Sequence, residues 1–412
     1  MRSGLSRDAS LLIAGQGLRA LGYGFTAVVL GALLAARGYS HLRAGVVLMA
    51  LIAGTAVASL AVGAYADRIG RRRCYAMFFV TMTAAGAVVA AGAPFWLLLV
   101  VALTGALSTD VVDNGPATTL EQVMLSADDA GTARVYGRYN AVGAAAGALG
   151  ALAATLPGLG GKSPHDWLFA MLVPIGFAGA LIAIRLSRSV EPDQAVDAPR
   201  ERARLRSSRS IVARLSTLFA MDAAGGGLVT TGFLSYLFAD RYQVSTVSLG
   251  WLFFAVTLVQ AASVLVAPWL AKRFGLVATM VGTHLPSNVL LAAVAFAPSF
   301  PVAAALLLAR TTLSQMDVPT RQALVMTVVE PHERTASAAV TNAARYTVRP
   351  IGPLVAAGVQ QVAIGAPLVV AGVVKGAYDL ALWRWASRLH LTGRTLSRAD
   401  LATRADKTSE VS

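Results

Sequence analysis

Long apolar segments alternate with short polar ones along the whole chain. The segments are continuous runs without the strict alternation of a strand, and each reaches the roughly 20 residues that cross a bilayer as a helix. A helix satisfies its own backbone groups in lipid. The pattern therefore predicts an all-α membrane protein with twelve transmembrane helices, over residues 10–36, 42–64, 74–93, 95–122, 134–156, 167–186, 214–238, 247–270, 276–297, 301–327, 336–362 and 366–387.

A polar stretch, Arg185 to Ser210, separates the first six segments from the last six. It is rich in Arg, Pro, Asp and Glu, which is typical of a solvated linker, although an amphipathic helix on the lipid surface is an alternative for part of it. We predict an N-terminal six-helix bundle (1–186), a cytoplasmic linker (187–213), a C-terminal six-helix bundle (214–390) and a cytoplasmic tail (391–412). The first apolar run exceeds the roughly 7–15 residues of a signal peptide, so it is predicted to be a spanning helix.

Composition agrees with this interpretation, since 56% of the residues are hydrophobic and 14% are charged. The single cysteine, Cys74, excludes an intrachain disulfide, and neither a metal nor a cofactor is expected. The net charge of +14 comes from arginines in short runs between apolar segments, which indicates membrane orientation and not nucleic-acid binding. The basic runs fall on one side, so we predict a multi-pass protein of the plasma (inner) membrane with both termini cytoplasmic.

The two halves also repeat each other. "GAYADRIGRRR" follows the second segment and "PWLAKRFGLV" follows the eighth, with Gly70 matched by Gly275. A duplicated helical unit is typical of secondary transporters, whose substrate site lies near the membrane midplane between the repeats.

The first of these loops resembles the hallmark G-x-x-x-D-R-x-G-R-R of the major facilitator superfamily. Its positions are filled by Gly63, Asp67, Arg68, Gly70, Arg71 and Arg72. The resemblance covers about residues 8–390 and implies two pseudo-symmetric six-helix bundles that work by alternating access. It also implies that Asp67 faces the start of helix eleven and helps to close the cytoplasmic side. Helix four lacks the Arg, and helix five the Gly-Pro pair, of the family's drug–proton antiporters, so the branch stays open.

Ionisable side chains at bilayer depth are costly, so each one is a candidate for substrate or proton binding. Asp110, Asp113, Asn114 and Glu121 are spaced along one predicted face of helix four. The remaining candidates lie on helices one, seven, nine, ten and eleven: Arg19, Asp222, His284, Asn288, Arg310, Asp317, Arg321, Arg345 and Arg349.

Spacing suggests partners for some of these groups. Asp317 and Arg321 are four residues apart and can pair on one helix face, and the same spacing predicts a structural pair between Lys375 and Asp379. Asp113 is the first candidate for a proton carrier, followed by Asp222 and Asp317. The triple glycine Gly225–Gly227 can let helix seven bend or unwind.

Helix eleven carries two arginines at depth. Arg345 lies about nine residues from the start of its predicted span, roughly 14 Å into the membrane, and Arg349 lies one turn further on. Two interpretations remain open. The arginines form structural ion pairs within the C-terminal half, or they form an anion site, since arginine suits bidentate binding of carboxylate or phosphate.

The sequence thus predicts a secondary active transporter of a small molecule, and proton-coupled export (efflux) is the leading hypothesis. The alternative is a transporter or exchanger of an organic or phosphorylated anion that uses buried arginines. An enzyme is not expected, and "GLGGKSP" lacks the first glycine of a P-loop. A membrane sensor or scaffold is disfavoured because the linker and tail are short. The expected partners are the substrate, protons and the lipid bilayer, with no nucleic acid, and the expected state is a monomer.

Overall fold

The computed structural model describes residues 6–108, 115–125, 132–156, 164–191, 208–330 and 333–388, and within these the regular structure is helical. The helices of the N-terminal half are α1 (Arg7–Ala36), α2 (His41–Ile69), α3 (Arg71–Ala90), α4 (Phe95–Leu103), α5 (Pro116–Leu125), α6 (Thr132–Ala153), α7 (Pro164–Leu168) and α8 (Leu172–Arg185). Those of the C-terminal half are α9 (Arg209–Gly227), α10 (Thr231–Tyr242), α11 (Thr246–Phe274), α12 (Leu276–Val294), α13 (Phe300–Ser314), α14 (Asp317–Val328), α15 (Arg334–Val348), α16 (Gly352–Gln360) and α17 (Ala366–Arg388).

Seven helical segments among the described residues are long and apolar enough to cross a membrane. They confirm a multi-pass, all-helical protein, while the count of twelve spans stays a prediction. Four of the other predicted spans, 95–122, 214–238, 301–327 and 336–362, are each divided between two helices. The predicted linker and tail lie largely outside the described residues, and α9 begins at Arg209, earlier than residue 214.

The interruption within residues 95–122 has a local cause. Gly105, which follows α4, has a φ of +69°, a conformation that favours glycine. A Cβ there would lie 2.7 Å from the carbonyl oxygen of Gly54, so α2 also approaches too closely for a side chain. The next helix, α5, starts at Pro116, whose missing N–H is tolerated in the first turn. The helix predicted over residues 95–122 is therefore not continuous, and Asp110, Asp113 and Asn114 of its predicted polar face lie outside the described residues.

Two further helix interruptions lie in direct contact with each other. The helix predicted over 214–238 breaks after the triple glycine, and the helix predicted over 336–362 breaks at a 3-10 turn, Arg349–Ile351. Gly227 packs against the carbonyl oxygen of Arg349, and a Cβ on Gly352 would lie 2.5 Å from the Cα of Gly227. The two breaks thus meet at a backbone contact that has no room for side chains.

The loops fall on two faces of the molecule. The terminal face carries Ser6, the loop at Gly70 and the end of α17 at Arg388, and the opposite face carries the loops that follow α1 and α10. On the opposite face the two halves meet. Ser235 donates a hydrogen bond to the carbonyl of Val28, and Tyr236 donates one to the carbonyl of Tyr39, at 2.5 and 3.1 Å. The Nε2 atom of His41 lies 3.2 Å from the carboxylate of Asp240.

At the terminal face, the loops are tied to their own half. The carboxylate of Glu191 accepts hydrogen bonds from the backbone N–H groups of Arg71 and Arg72, at 2.7 and 3.2 Å. In the C-terminal half, the backbone N–H of Ser208 donates to the carboxylate of Glu333 at 2.9 Å. The halves are therefore joined at the opposite face and separately braced at the terminal face.

The core of the fold is centred on α1, in which 83% of the residues of the apolar, membrane-spanning stretch are buried. This helix packs against α6 and α8 of its own half and against α10 of the other half. Its central position leaves Arg19 only 1% exposed, and polar partners from neighbouring helices surround the charge.

Candidate functional site

A cavity of about 640 Å³ lies between the two halves. Among the described residues, the N-terminal half contributes only uncharged side chains to the wall, and the charged side chains come from the C-terminal half. The lining residues that matter below are Ser59, Thr118, Thr119 and Gln122 on the neutral wall, and Asp222, His284, Arg310, Asp317, Arg321, Arg345, Arg349 and Lys375 on the charged wall.

The cavity opens toward the terminal face. Gln122, Gln322 and Met326 line it close to the ends of α5 and α14 at that face, and all three side chains are exposed. Because the halves are joined at the opposite face, the structure represents the state in which the cavity is accessible from the side of the termini.

Asp222 is the centre of a buried network on the charged wall. Its carboxylate lies 2.5 Å from the Nζ of Lys375 and 3.3 Å from the Nη1 of Arg321. Arg321 in turn pairs with Asp317 at 2.8 Å, as its spacing on the helix predicted. The ion pairs connect α9, α14 and α17. Lys375 and Arg321 orient the carboxylate of Asp222, and Arg321 orients that of Asp317.

His284 extends the network to a second carboxylate. Its Nδ1 lies 2.8 Å from Asp379, while its Nε2 lies 3.8 Å from Asp222. Asn288 donates a hydrogen bond to the same Asp379 carboxylate at 2.8 Å. One imidazole thus lies between two buried carboxylates on different helices, an arrangement in which a proton gained or lost changes the charge of the wall.

The pair predicted between Lys375 and Asp379 is wrong. Each side chain reaches a different helix: Lys375 extends to Asp222 on α9, and Asp379 to His284 on α12. Gly225 makes the first contact possible, because a Cβ there would lie 2.5 Å from the Cγ of Lys375.

Arg310 and Arg345 differ from these paired groups. Within the described residues, no carboxylate oxygen lies within 4.0 Å of either guanidinium, and the Nε of each is buried without a hydrogen-bond partner. Together with Arg321, Arg349 and Lys375 they place five cationic side chains on the wall formed by the described residues, against the two carboxylates of Asp222 and Asp317. The wall therefore has an excess of positive charge.

A second buried ion pair lies behind the neutral wall. The Nη2 of Arg19 is 2.9 Å from Glu121, and the hydroxyls of Tyr75 and Tyr139 donate to the same carboxylate at 2.7 and 2.6 Å. Gln16 also accepts a hydrogen bond from Arg19. The cluster joins α1, α3, α5 and α6, and Arg19 and Glu121 do not themselves line the cavity.

The family profile of the Major Facilitator Superfamily matches residues 12–353 of this chain. The chain belongs to the Major Facilitator Superfamily. The resemblance seen in the loop of Gly63 to Arg72 is confirmed, and membership indicates a membrane transporter of a small molecule rather than an enzyme.

Known proteins resemble this superfamily member over most of its length. It is 27% identical to the uncharacterized membrane protein YJR124C of Saccharomyces cerevisiae over 389 residues, covering 85% of this chain and 87% of the yeast protein. A crystal structure of the nucleoside transporter NupG (D323A mutant) superposes with a TM-score of 0.73 at 13% identity, covering 92% and 99% of the two chains. A D-xylose-proton symporter gives 0.70 at 14% identity, covering 91% and 97%.

The superfamily's loop motif takes a particular conformation in this state. Asp67 is half exposed and pairs with Arg71 at 2.7 Å, while Arg72 donates to the carbonyl of Ile184 within the N-terminal half. A contact of Asp67 with the start of helix eleven belongs to a conformation with the terminal face closed, so its gating role stays a prediction.

Most of the residues predicted to bind substrate or protons lie together around the cavity. Those of the C-terminal half line the cavity, except Asn288, which lies behind it against Asp379. Arg19 and Glu121 pair away from the cavity, and Asp110, Asp113 and Asn114 lie outside the described residues. Sequence reasoning paired Asp379 with Lys375 and not with His284, and it missed Tyr75 and Tyr139 as partners of Glu121. Tyrosines in apolar helices give no signal that distinguishes a hydrogen-bond donor from a packing residue.

Proposed function

We propose that this chain is a secondary transporter that carries a small organic anion by alternating access. The observation that supports this is that Arg310 and Arg345 line the cavity without a carboxylate within 4.0 Å among the described residues. Burying a guanidinium without a partner is costly, and an anionic ligand removes that cost. The anion alternative raised from the sequence is therefore favoured over export of a neutral or cationic compound.

The geometry supports a ligand acid group held between α13 and α15. An arginine presents several N–H donors in a plane, which suits the oxygen atoms of a carboxylate or phosphate. The other cations are already used, because Lys375 and Arg321 are paired with Asp222. Arg310 and Arg345 are the groups that a ligand reaches without breaking an ion pair of the network.

The test is calorimetric binding to detergent-purified protein, with inorganic phosphate, citrate and a lipophilic cation as probes. We expect an anion to bind, and Arg345→Gln or Arg310→Gln to weaken it about 10- to 100-fold, the size of one or two charged hydrogen bonds. Arg384→Gln, at an exposed site on α17, is the matched control and is expected to have no effect. Binding of the cation alone, or anion binding indifferent to both arginines, would remove the proposal.

We also propose that transport is coupled to protons, through Asp222, His284 and Asp379. The supporting observation is that one imidazole contacts both carboxylates within a buried network. Chains of buried Asp and His side chains of this kind act as proton relays in pumps and transporters. Export, the first candidate Asp113, the monomeric state and the cytoplasmic position of the termini stay predictions.

Proton coupling is tested in proteoliposomes loaded with the bound anion. A pH gradient is expected to drive uptake or release in the wild type, and Asp379→Asn is expected to abolish the response to the gradient while counterflow of the anion continues. Asp166→Asn, which changes a partly exposed carboxylate on the opposite face, is the control. Transport that ignores the gradient in the wild type would exclude coupling.

A further inference from the structure

The cavity wall contains a second group of available polar side chains, which are carboxamides. They come from four different helices of both halves and from the residue that follows α13. The set is Gln122, Gln260, Gln315, Gln322 and Asn342. None of these amide groups has a hydrogen-bond partner among the described residues, whereas several hydroxyl groups of the same wall do.

The hydroxyls are used within their own helices. Ser59, Thr257 and Thr311 line the cavity, and each donates its hydrogen to the backbone carbonyl four residues earlier, at 2.7, 2.8 and 2.6 Å. The single hydrogen of each of these hydroxyls is therefore already donated. The amides keep both of their N–H donors and their carbonyl oxygen, so they determine which hydrogen bonds the wall can offer to a ligand.

The wall offers neutral acceptor oxygens on the amides and on the hydroxyls whose hydrogens are already donated. The arginines only donate, and the carboxylates of Asp222 and Asp317 already accept from Lys375 and Arg321. An amide carbonyl accepts only from a ligand that carries hydrogen-bond donors of its own. An alkyl or aryl anion would satisfy the arginines but would leave the amide groups without partners when water is displaced, which costs affinity.

We propose that the transported anion is polyhydroxylated, as a sugar phosphate or a sugar acid is. Its acid group binds Arg310 and Arg345, and its hydroxyls exchange hydrogen bonds with the amides, of which Gln122 on the neutral wall and Gln322 on the charged wall face it from both halves. This inference rests on the proposed anion transport. The volume of about 640 Å³ accommodates a molecule of this size.

The experiment compares polyhydroxylated anions with analogues of similar size that lack the hydroxyls. Glucose 6-phosphate is paired with cyclohexylmethyl phosphate, and gluconate with hexanoate, in calorimetric titrations of the full-length purified protein. We expect the hydroxylated member of at least one pair to bind about tenfold or more tightly, the discrimination supplied by one or two buried hydrogen bonds.

Substitutions of two glutamines test whether their amides cause the difference in affinity. Gln122→Leu and Gln322→Leu keep the side-chain volume and remove the amide, so each is expected to reduce the ratio of affinities within the pair about fivefold while the hydroxyl-free anion binds as before. Gln361→Leu, on the exposed end of α16, is the matched control. A thermal unfolding midpoint unchanged in the absence of ligand shows that each variant is folded.

The outcomes separate this inference from the proposed function. Equal affinity within both pairs, or a ratio that the two glutamine variants leave unchanged, overturns the polyol inference while anion transport stands. If no anion of either pair binds, the anion proposal falls, and the polyol inference falls with it.

Discussion

The buried pair of Arg19 and Glu121 allows a quantitative prediction about stability. The two residues are 1% and 0% exposed, and Glu121 accepts from Arg19, Tyr75 and Tyr139. The substitution Glu121→Gln removes the only carboxylate that faces Arg19 within the described residues, whereas Arg19→Met removes one of three donors to Glu121. The two changes are therefore unequal, although they break the same ion pair.

The magnitudes follow from what remains unpaired. Glu121→Gln leaves a buried guanidinium with Gln16 as its neighbour, and the loss of one partner of a buried pair costs about 3–5 kcal/mol. Arg19→Met leaves a carboxylate that still accepts two tyrosine hydroxyls, so we expect a cost of about 1–3 kcal/mol, as for a lost charged hydrogen bond. The double variant should cost little more than Arg19→Met alone, because no unpaired cation remains.

The assay is reversible unfolding in mixed detergent and SDS micelles, with free energies combined in a double-mutant cycle. The control pair is Arg37 and Asp166, at 2.6 Å but 19% and 26% exposed, which is expected to contribute at most about 1 kcal/mol. The reasoning would be refuted if Arg19→Met cost as much as Glu121→Gln, or if the double variant were as unstable as the sum of the two.

Three further outcomes are expected. Spin labels at exposed positions Leu42 and Val247 should report a smaller closed population at the opposite face in Asp240→Asn than in the wild type, because the contact between the Asp240 carboxylate and the Nε2 of His41 is weakened. Gly227→Ala should destabilise the protein by about 1–3 kcal/mol through overpacking against Arg349, whereas Gly282→Ala, with open space around it, should be neutral in the same unfolding assay. Asp67→Asn should slow transport without lowering the unfolding free energy by more than about 1 kcal/mol, since its pair with Arg71 is exposed; a large loss of stability would argue against a gating role.

The hydrophobic pattern predicted the helices better than their interruptions. A run of apolar residues establishes where the chain can cross a bilayer, but not whether one helix or two do so. The break after α4 depends on a positive φ at Gly105 and on the approach of Gly54 from another helix. Nothing within residues 95–122 alone encodes that contact. The triple glycine before α10 was more informative, because three adjacent glycines weaken a helix by themselves.

The site was predictable where partners are close in sequence, with one exception. Asp317 and Arg321 pair as their spacing indicates, yet Lys375 and Asp379 have the same spacing and do not. The difference comes from tertiary structure. Lys375 packs against Gly225 and pairs with Asp222, which lies 153 residues earlier in the chain. The link from Arg19 to Glu121 spans 102 residues and depends on the packing of four helices, which local spacing does not reveal.

The unequal distribution of charge over the two walls bears on how a bound anion would leave. The ion pairs around Asp222 link helices of the C-terminal half only, and the neutral wall belongs to the other half. In the proposed cycle, and while the protons of the charged wall stay in place, the cations keep their mutual distances as the halves rock, so the attraction for the acid group stays nearly constant. Release must then be controlled by the neutral wall, whose withdrawal admits water to the far side of the ligand. In kinetic terms, substitutions on the charged wall should change occupancy, and substitutions on the neutral wall should change the rate of departure.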